Sequence, residues 1–165
     1  MVSIKWCLNV KNGIELVEPS ENMANSYLKM AEESLMMIKK NEESRIWTAS
    51  TSYYTLYYCL YSVMIKIGIK CEIHQCSIEF MKYFLSDFYN EAEFDLIENA
   101  FDIRNSLQYY PDKLVENDKL ENIKKGAIDF FVKTKDILAK ISESKIKEIR
   151  EKLEEKRDET KIRKK

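Results

Sequence analysis

In this chain of 165 residues, the residue types best suited to chemistry fall in one short run. Arg104 and Asn105 are followed by Gln108, Tyr109 and Tyr110, and Pro111 closes the run. A guanidinium offers its N–H donors in a planar fork that matches carboxylate or phosphate oxygens. If the run is helical, the neighbours of Arg104 three and four positions away are Ala100, Phe101, Leu107 and Gln108. None is acidic, although Glu91, Glu93, Asp95, Glu98 and Asp102 stand just upstream. Asn105 and Tyr109, four apart, share a face at the helix end. Two readings stand side by side. Either Arg104 pairs with a carboxylate from another element and Asn105 is a cap, or Arg104, Asn105 and the tyrosines hold a phosphate-type ligand.

Other chemistry is sparse. The sequence has no phosphate-cradling Gly-rich loop, no His-Glu-x-x-His and no Cys-x-x-Cys. Nothing in it implies a cofactor. The one histidine, His74, lies between Cys71 and Cys76, but a structural zinc site takes four ligands and no fourth is evident, so no metal is expected. The chain opens Met1-Val2-Ser3-Ile4-Lys5 without a secretory apolar region, and no apolar run approaches the roughly 20 residues that span a bilayer. A cytoplasmic protein without membrane contact is the expectation, with Cys7, Cys59, Cys71 and Cys76 as thiols. The many Lys, Glu and Ile residues beside only two Gln resemble a heat-adapted composition, in which a Cys71–Cys76 bridge is an alternative. Residues 1–139 carry an acid excess of five and residues 140–165 a basic excess of four. An acidic body argues against broad electrostatic capture of nucleic acid.

The elements that must position Arg104 follow from periodicity. Apolar residues are 45 % of the chain and aromatics 12 %, enough for a real core, while three Gly and two Pro leave little material for the turns of an all-β fold. Residues 1–19 read as an irregular or extended arm. Ser20 caps a first long helix to about Asn41, with Met23, Tyr27, Ala31, Leu35 and Ile38 at helical spacing. A second, about Glu43 to Ile67, is apolar nearly all round and is closed by Gly68. A third runs from about His74 to Phe88. A fourth spans about Ala92 to Tyr109, where Leu96, Ala100, Ile103 and Leu107 read as its core face and Phe94, Ile97 and Phe101 as a second stripe that Arg104 continues. Pro111 ends it. A fifth starts near Lys113 or Leu114 and runs to Ile141. Beyond it, Glu143–Lys147 and Glu148–Lys152 pairs at i,i+4 read as an exposed charged helix that frays at its end. The fold class expected is all-α: an antiparallel up-down four-helix bundle over residues 20–141, with an additional long C-terminal helix over 142–165.

Three patches in this order resemble a known family. They are Asn22-Met23-Ala24-Asn25-Ser26-Tyr27-Leu28-Lys29-Met30-Ala31-Glu32-Glu33-Ser34-Leu35, then Ala49-Ser50-Thr51-Ser52-Tyr53-Tyr54-Thr55-Leu56-Tyr57-Tyr58, and last Asp102-Ile103-Arg104-Asn105-Ser106-Leu107-Gln108-Tyr109-Tyr110. Between the last two stand Gly68-Ile69-Lys70 and His74. Over roughly residues 20–140 the chain resembles a stand-alone archaeal or bacterial HEPN (higher eukaryotes and prokaryotes nucleotide-binding) domain. The resemblance implies a helical bundle that dimerises so that two arginine motifs face one cleft. It also implies either metal-independent ribonuclease activity through an Arg-x4–6-His motif, or binding of nucleotide, RNA or a partner nucleotidyltransferase in a toxin–antitoxin-like pair. Arg104 and Asn105 match the first two motif positions, and Tyr109 stands where the histidine belongs. A phenol hydrogen-bonds a phosphate but is a weak base at neutral pH. Pro111 occupies the place of the tyrosine that accepts AMP in toxin-type members. The expectation is therefore a homodimer that binds nucleotide or RNA through Arg104, Asn105, Gln108, Tyr109 and Tyr110. If it is catalytic at all, Arg104, Asn105 and Tyr109 would carry the reaction, with His74 joining only if the fold brings it close.

Overall fold

A serine precedes each of the first two long helices, and each serine caps its helix. In the structure, a computed structural model describing residues 2–110 and 112–162 with side chains through Thr160, α2 spans Glu21–Lys40 and α3 spans Arg45–Ile67. The Ser20 and Ser44 hydroxyls accept from the backbone N–H of Met23 and Trp47, which satisfies orphan donors of the first turns. Gly68 ends α3 with φ of 85°, the left-handed conformation that suits a residue lacking Cβ. The expected stop at Pro111 and the fraying over residues 163–165 lie outside the described residues.

Helix α3 is the axis of the molecule. It packs most extensively on α2 and then on α6 (Asn117–Lys140) and α5 (Glu91–Tyr109). It is buried on nearly all sides, with Tyr53, Leu56, Leu60 and Met64 inaccessible. Lys66 pairs with Glu21 at 2.9 Å at one end and Thr48 donates to the Asn41 carbonyl at the other, so α2 and α3 run in opposite directions. Helix α5 opens with a capping box, in which Asn90 and Glu93 each bond the other's backbone N–H.

Several expectations change. The arm is not wholly irregular: Ile4–Cys7 form the short α1, and Glu15–Leu16 form β1. This strand pairs antiparallel with β2 (Ile69–Lys70), with Glu15 opposite Lys70 and Leu16 opposite Ile69. Helix α4 covers His74–Phe84 rather than reaching Phe88, and α6 begins at Asn117 rather than near Leu114. The buried face of α5 is Phe94, Ile97, Ala100, Ile103 and Ser106, while Leu96 and Leu107 are only half-buried. Because α3, α4 and α6 all pack on α5, its buried arc is too wide for one stripe.

The C-terminal helix α7 (Glu143–Ile162) is not a solvated rod. Ile149 and Leu153 are buried against the core. Arg150 Nη1 donates to the carbonyls of Val17, Ile67 and Gly68 at 2.8–3.0 Å, so a cation sits on the electronegative end of α3. Arg157 reaches the Ile14 carbonyl at 2.6 Å, and Asn9 bonds the Thr160 hydroxyl at 3.2 Å. The disulfide also differs from expectation. Cys7 bonds Cys76 across 69 positions, and Cys71 and Cys59 are buried free thiols. Cys71 lies with its Sγ 3.3 Å from the Ile73 carbonyl instead of bridging Cys76. Among the described residues no helix is long and apolar enough to cross a membrane.

Candidate functional site

Arg104 lies in the last turns of α5, half-buried, on the side that meets α3. No carboxylate of the described residues pairs with it. Its Nη1 donates to Asn105 Oδ1 at 2.8 Å and its Nη2 to the Tyr54 hydroxyl at 3.1 Å. The guanidinium carbon stands 5.6 Å from the Tyr54 ring centre, 5.8 Å from Tyr109 and 5.9 Å from Tyr53, within cation–π range. The Nε–H is buried and has no hydrogen-bond partner. Both intramolecular acceptors are neutral, so the positive charge is screened by ring faces and dipoles but not cancelled. With Nε closed to solvent, one N–H on each Nη remains for an anionic oxygen.

The fold brings a histidine to this patch from another helix. His74 opens α4, and its Nδ1 lies 2.6 Å from the Tyr53 hydroxyl. Its ring stacks on Tyr57 at 4.0 Å and meets Tyr54 edge-on at 6.5 Å. Tyr53 and Tyr54 thus touch both His74 and Arg104. Burial first, and the Arg104 charge second, hold the His74 pKa below the ordinary imidazole value, so the ring is neutral at neutral pH. Burial pushes the Tyr53 phenol well above its ordinary range, with Tyr57 adding to the effect and Arg104 opposing it. Tyr53 is therefore a protonated phenol with no exposed surface, and its proton needs an acceptor. The acceptor within reach is Nδ1, which places the imidazole proton on Nε2. His74 presents an N–H donor, suited to a phosphate oxygen, rather than a free base.

The residues singled out by sequence divide into two groups. Arg104, Asn105 and Tyr109 come together, with Tyr109 61 % exposed over the guanidinium. Gln108 is exposed and is not among the hydrogen-bond partners of Arg104, and Tyr110 is exposed beside Lys113, 5.9 Å from its ring centre. Tyr53, Tyr54 and Tyr57 did not stand out in the sequence as site residues, because their spacing on α3 is equally that of core or interface positions. The adjacency Tyr53-Tyr54 was the available signal, since neighbouring helical residues point about 100° apart and one of them must leave the core. The acid-lined groove of about 900 Å³ between α5 and α6, reached by Leu96, Asp102 and Asp129, lies apart from these tyrosines. Nor do thiols complete a metal set at His74: Cys76 is oxidised, and no group of three or more His, Cys, Asp or Glu gathers among the described residues.

In comparisons with protein-family models and with curated proteins, the chain matches none.

Proposed function

We propose that this chain is a HEPN-like homodimeric module that binds the phosphate of a nucleotide or an RNA through Arg104, and that α2, α3, α5 and α6 are its antiparallel four-helix bundle, with α7 as an added helix. One observation carries the reading: a half-buried arginine whose partners are all neutral, with its Nε–H unsatisfied. Such a group is stabilised when an anion arrives. Asn105 and Tyr54 supply neutral polar contacts to it, His74 joins the patch through Tyr53 and Tyr54, and the exposed Tyr109 ring offers a face on which a base can stack, an interaction of about 1–3 kcal/mol. The homodimer is supported by the surface beside the site. Met23, Met30 and Met37 recur every seven residues along α2, each 40 % exposed or more, and Tyr27 carries that side of α2 to Tyr58 on α3, with ring centres 6.3 Å apart. Trp47, 60 % exposed, lies on the Tyr54–Tyr58 side of α3. The test is titration of labelled single-stranded RNA and of ATP with wild type and Arg104→Ala. Loss of affinity by about tenfold or more is expected for removal of a charged anchor; unchanged affinity refutes the reading. A nucleotidyltransferase partner belongs to the same reading and is tested by co-purification of the two proteins.

A second reading, metal-independent RNA cleavage, is favoured by the arrival of His74 beside Arg104. Arg104 and Asn105 would stabilise charge on the scissile phosphate, and His74 would donate from Nε2. Incubation with RNA in EDTA decides it: cleavage absent from both wild type and Arg104→Ala leaves binding alone.

A further inference from the structure

The Cys7–Cys76 disulfide ties α1 to the first turn of α4, and Cys76 lies two residues after His74. That turn is also held by the buried Ser77 and Ile78 and by the stack of His74 on Tyr57, but it lacks a side-chain cap. Ser20, Ser44 and Asn90 cap α2, α3 and α5 with their side chains, but the N-cap of α4 is Ile73, which makes no side-chain cap. His74 contributes a single hydrogen bond, to Tyr53. The disulfide adds a covalent tie to a turn that has no side-chain cap.

We infer that Cys7–Cys76 is a redox-sensitive strut for the Arg104 site: closed, it seats His74 against Tyr53 and Tyr57, the tyrosine pair that leads to the guanidinium; opened, it frees the first turn of α4 and the site loses its histidine. The inference rests on the reading of Arg104 as a ligand site and adds its regulation. Both cysteines are buried, and α1, the four-residue helix that carries Cys7 and the half-exposed Trp6, packs chiefly on α4. Lifting α1 is a local opening, not global unfolding. An external dithiol then reduces the bond. One thiolate attacks one sulfur, the S–S bond breaks and a mixed disulfide forms. The second thiol displaces the protein, so that two electrons and two protons end on Cys7 and Cys76 as thiols and the reductant leaves as its own disulfide. The free thiols compete poorly for exchange, since burial pushes Cys59 up to about 12 and raises Cys71 as well. The rest of the arm stays anchored by the β1–β2 pairing and by the Arg157 bond to Ile14, which confines the release to α1 and the start of α4.

Because the chain has a single histidine, one imidazole resonance reports on the strut. The full chain is compared oxidised, treated with dithiothreitol, and as Cys7→Ser/Cys76→Ser, with circular dichroism to check folding. Thiol titration in denaturant sets the redox state: two thiols when the bond is closed and all four cysteines when it is open. If the serine pair does not fold, Cys7→Ala/Cys76→Val keeps the site apolar. Opening the bond is expected to move the His74 resonance, to bring its pKa back toward the ordinary imidazole value, and to weaken binding of a labelled single-stranded oligoribonucleotide by about fivefold or more. A His74 resonance and titration unchanged in the folded, reduced protein overturn the strut, whatever the RNA does. A resonance that moves while neither form binds RNA upholds the strut and refutes the ligand reading instead.

Discussion

Arg104 and Arg150 are both half-buried arginines without a carboxylate partner among the described residues, and methionine at each position separates a site from a scaffold. At Arg150, one nitrogen serves three main-chain carbonyls at the end of α3, and Ile67 beside it is inaccessible to water. Truncation strips that donor from the Val17 and Ile67 carbonyls, while the Gly68 carbonyl keeps the Val17 N–H at 2.9 Å, and removes a cation from the helix C-terminus. At about 1–3 kcal/mol for the stranded groups and about 0.3–1 for the dipole, the loss is about 2–3 kcal/mol. For a chain of this length that lowers Tm by roughly 5–10 °C. At Arg104 the contributions nearly cancel. Two hydrogen bonds to half-exposed partners and three ring contacts near the outer limit of cation–π range are lost, roughly 2–3 kcal/mol together. Removing a charge whose Nε–H is buried and unpaired returns about 1–3 kcal/mol, and the methionine stem keeps the packing. Arg104→Met should therefore shift Tm by less than about 3 °C in either direction while RNA affinity collapses, and Arg150→Met should do the opposite. Thermal unfolding by circular dichroism and the RNA titration read both at one pH and salt. A Tm drop for Arg104→Met as large as that for Arg150→Met would refute the reasoning, because the arginine would then be structural.

Two further outcomes are open to measurement. His74 has a folded pKa below its unfolded value, so stability is fully present above about pH 6.5 and is lost as pH falls from there toward the folded pKa, where the unfolded chain binds a proton that the folded chain does not. His74→Gln should flatten that acid-side slope, measured as the difference in urea midpoint from wild type between about pH 7 and about pH 5.5; Glu79, whose pKa burial raises, is common to both proteins and drops out of the difference. Leu153→Ala on α7 should cost about 2–4 kcal/mol in one cooperative transition, since Leu153 is fully buried. A change under about 0.5 kcal/mol would mean that α7 does not belong to the folded core.

What could be read from the sequence was local. Ser20, Gly68 and the all-round burial of α3 depend on neighbours a few residues away, and each appears where the pattern places it. Arg104 was visible for the same reason, as an arginine without an acid in helical register. What could not be read depends on distant chain. His74 reaches the guanidinium through Tyr53 and Tyr54, and no spacing within α4 foretells that. Cys76 finds Cys7 rather than Cys71 because α1 folds over the start of α4, while Cys71 lies in the connection that leads from β2 to that helix. The alternating charges of α7 favour an exposed helix when read alone; Ile149 and Leu153, four apart, are a stripe too narrow to signal docking until α3 and the arm provide a surface for them.

The clasp of α7 also bears on the order in which the chain can become native. Asn9, Ile14 and Val17 leave the ribosome 133 to 151 positions ahead of their partners Thr160, Arg157 and Arg150. The α2–α3 pair can form as soon as its own residues emerge, since its contacts are near in sequence. The arm cannot. Until α7 has been made, the Ile14 and Val17 carbonyls that flank β1 and those at the end of α3 lack their guanidinium partners, and the apolar positions destined for Ile149 and Leu153 face water. The nascent protein therefore passes through a stage as a bundle with an unlatched edge, at which a chaperone or a second copy of the chain would find it most adhesive.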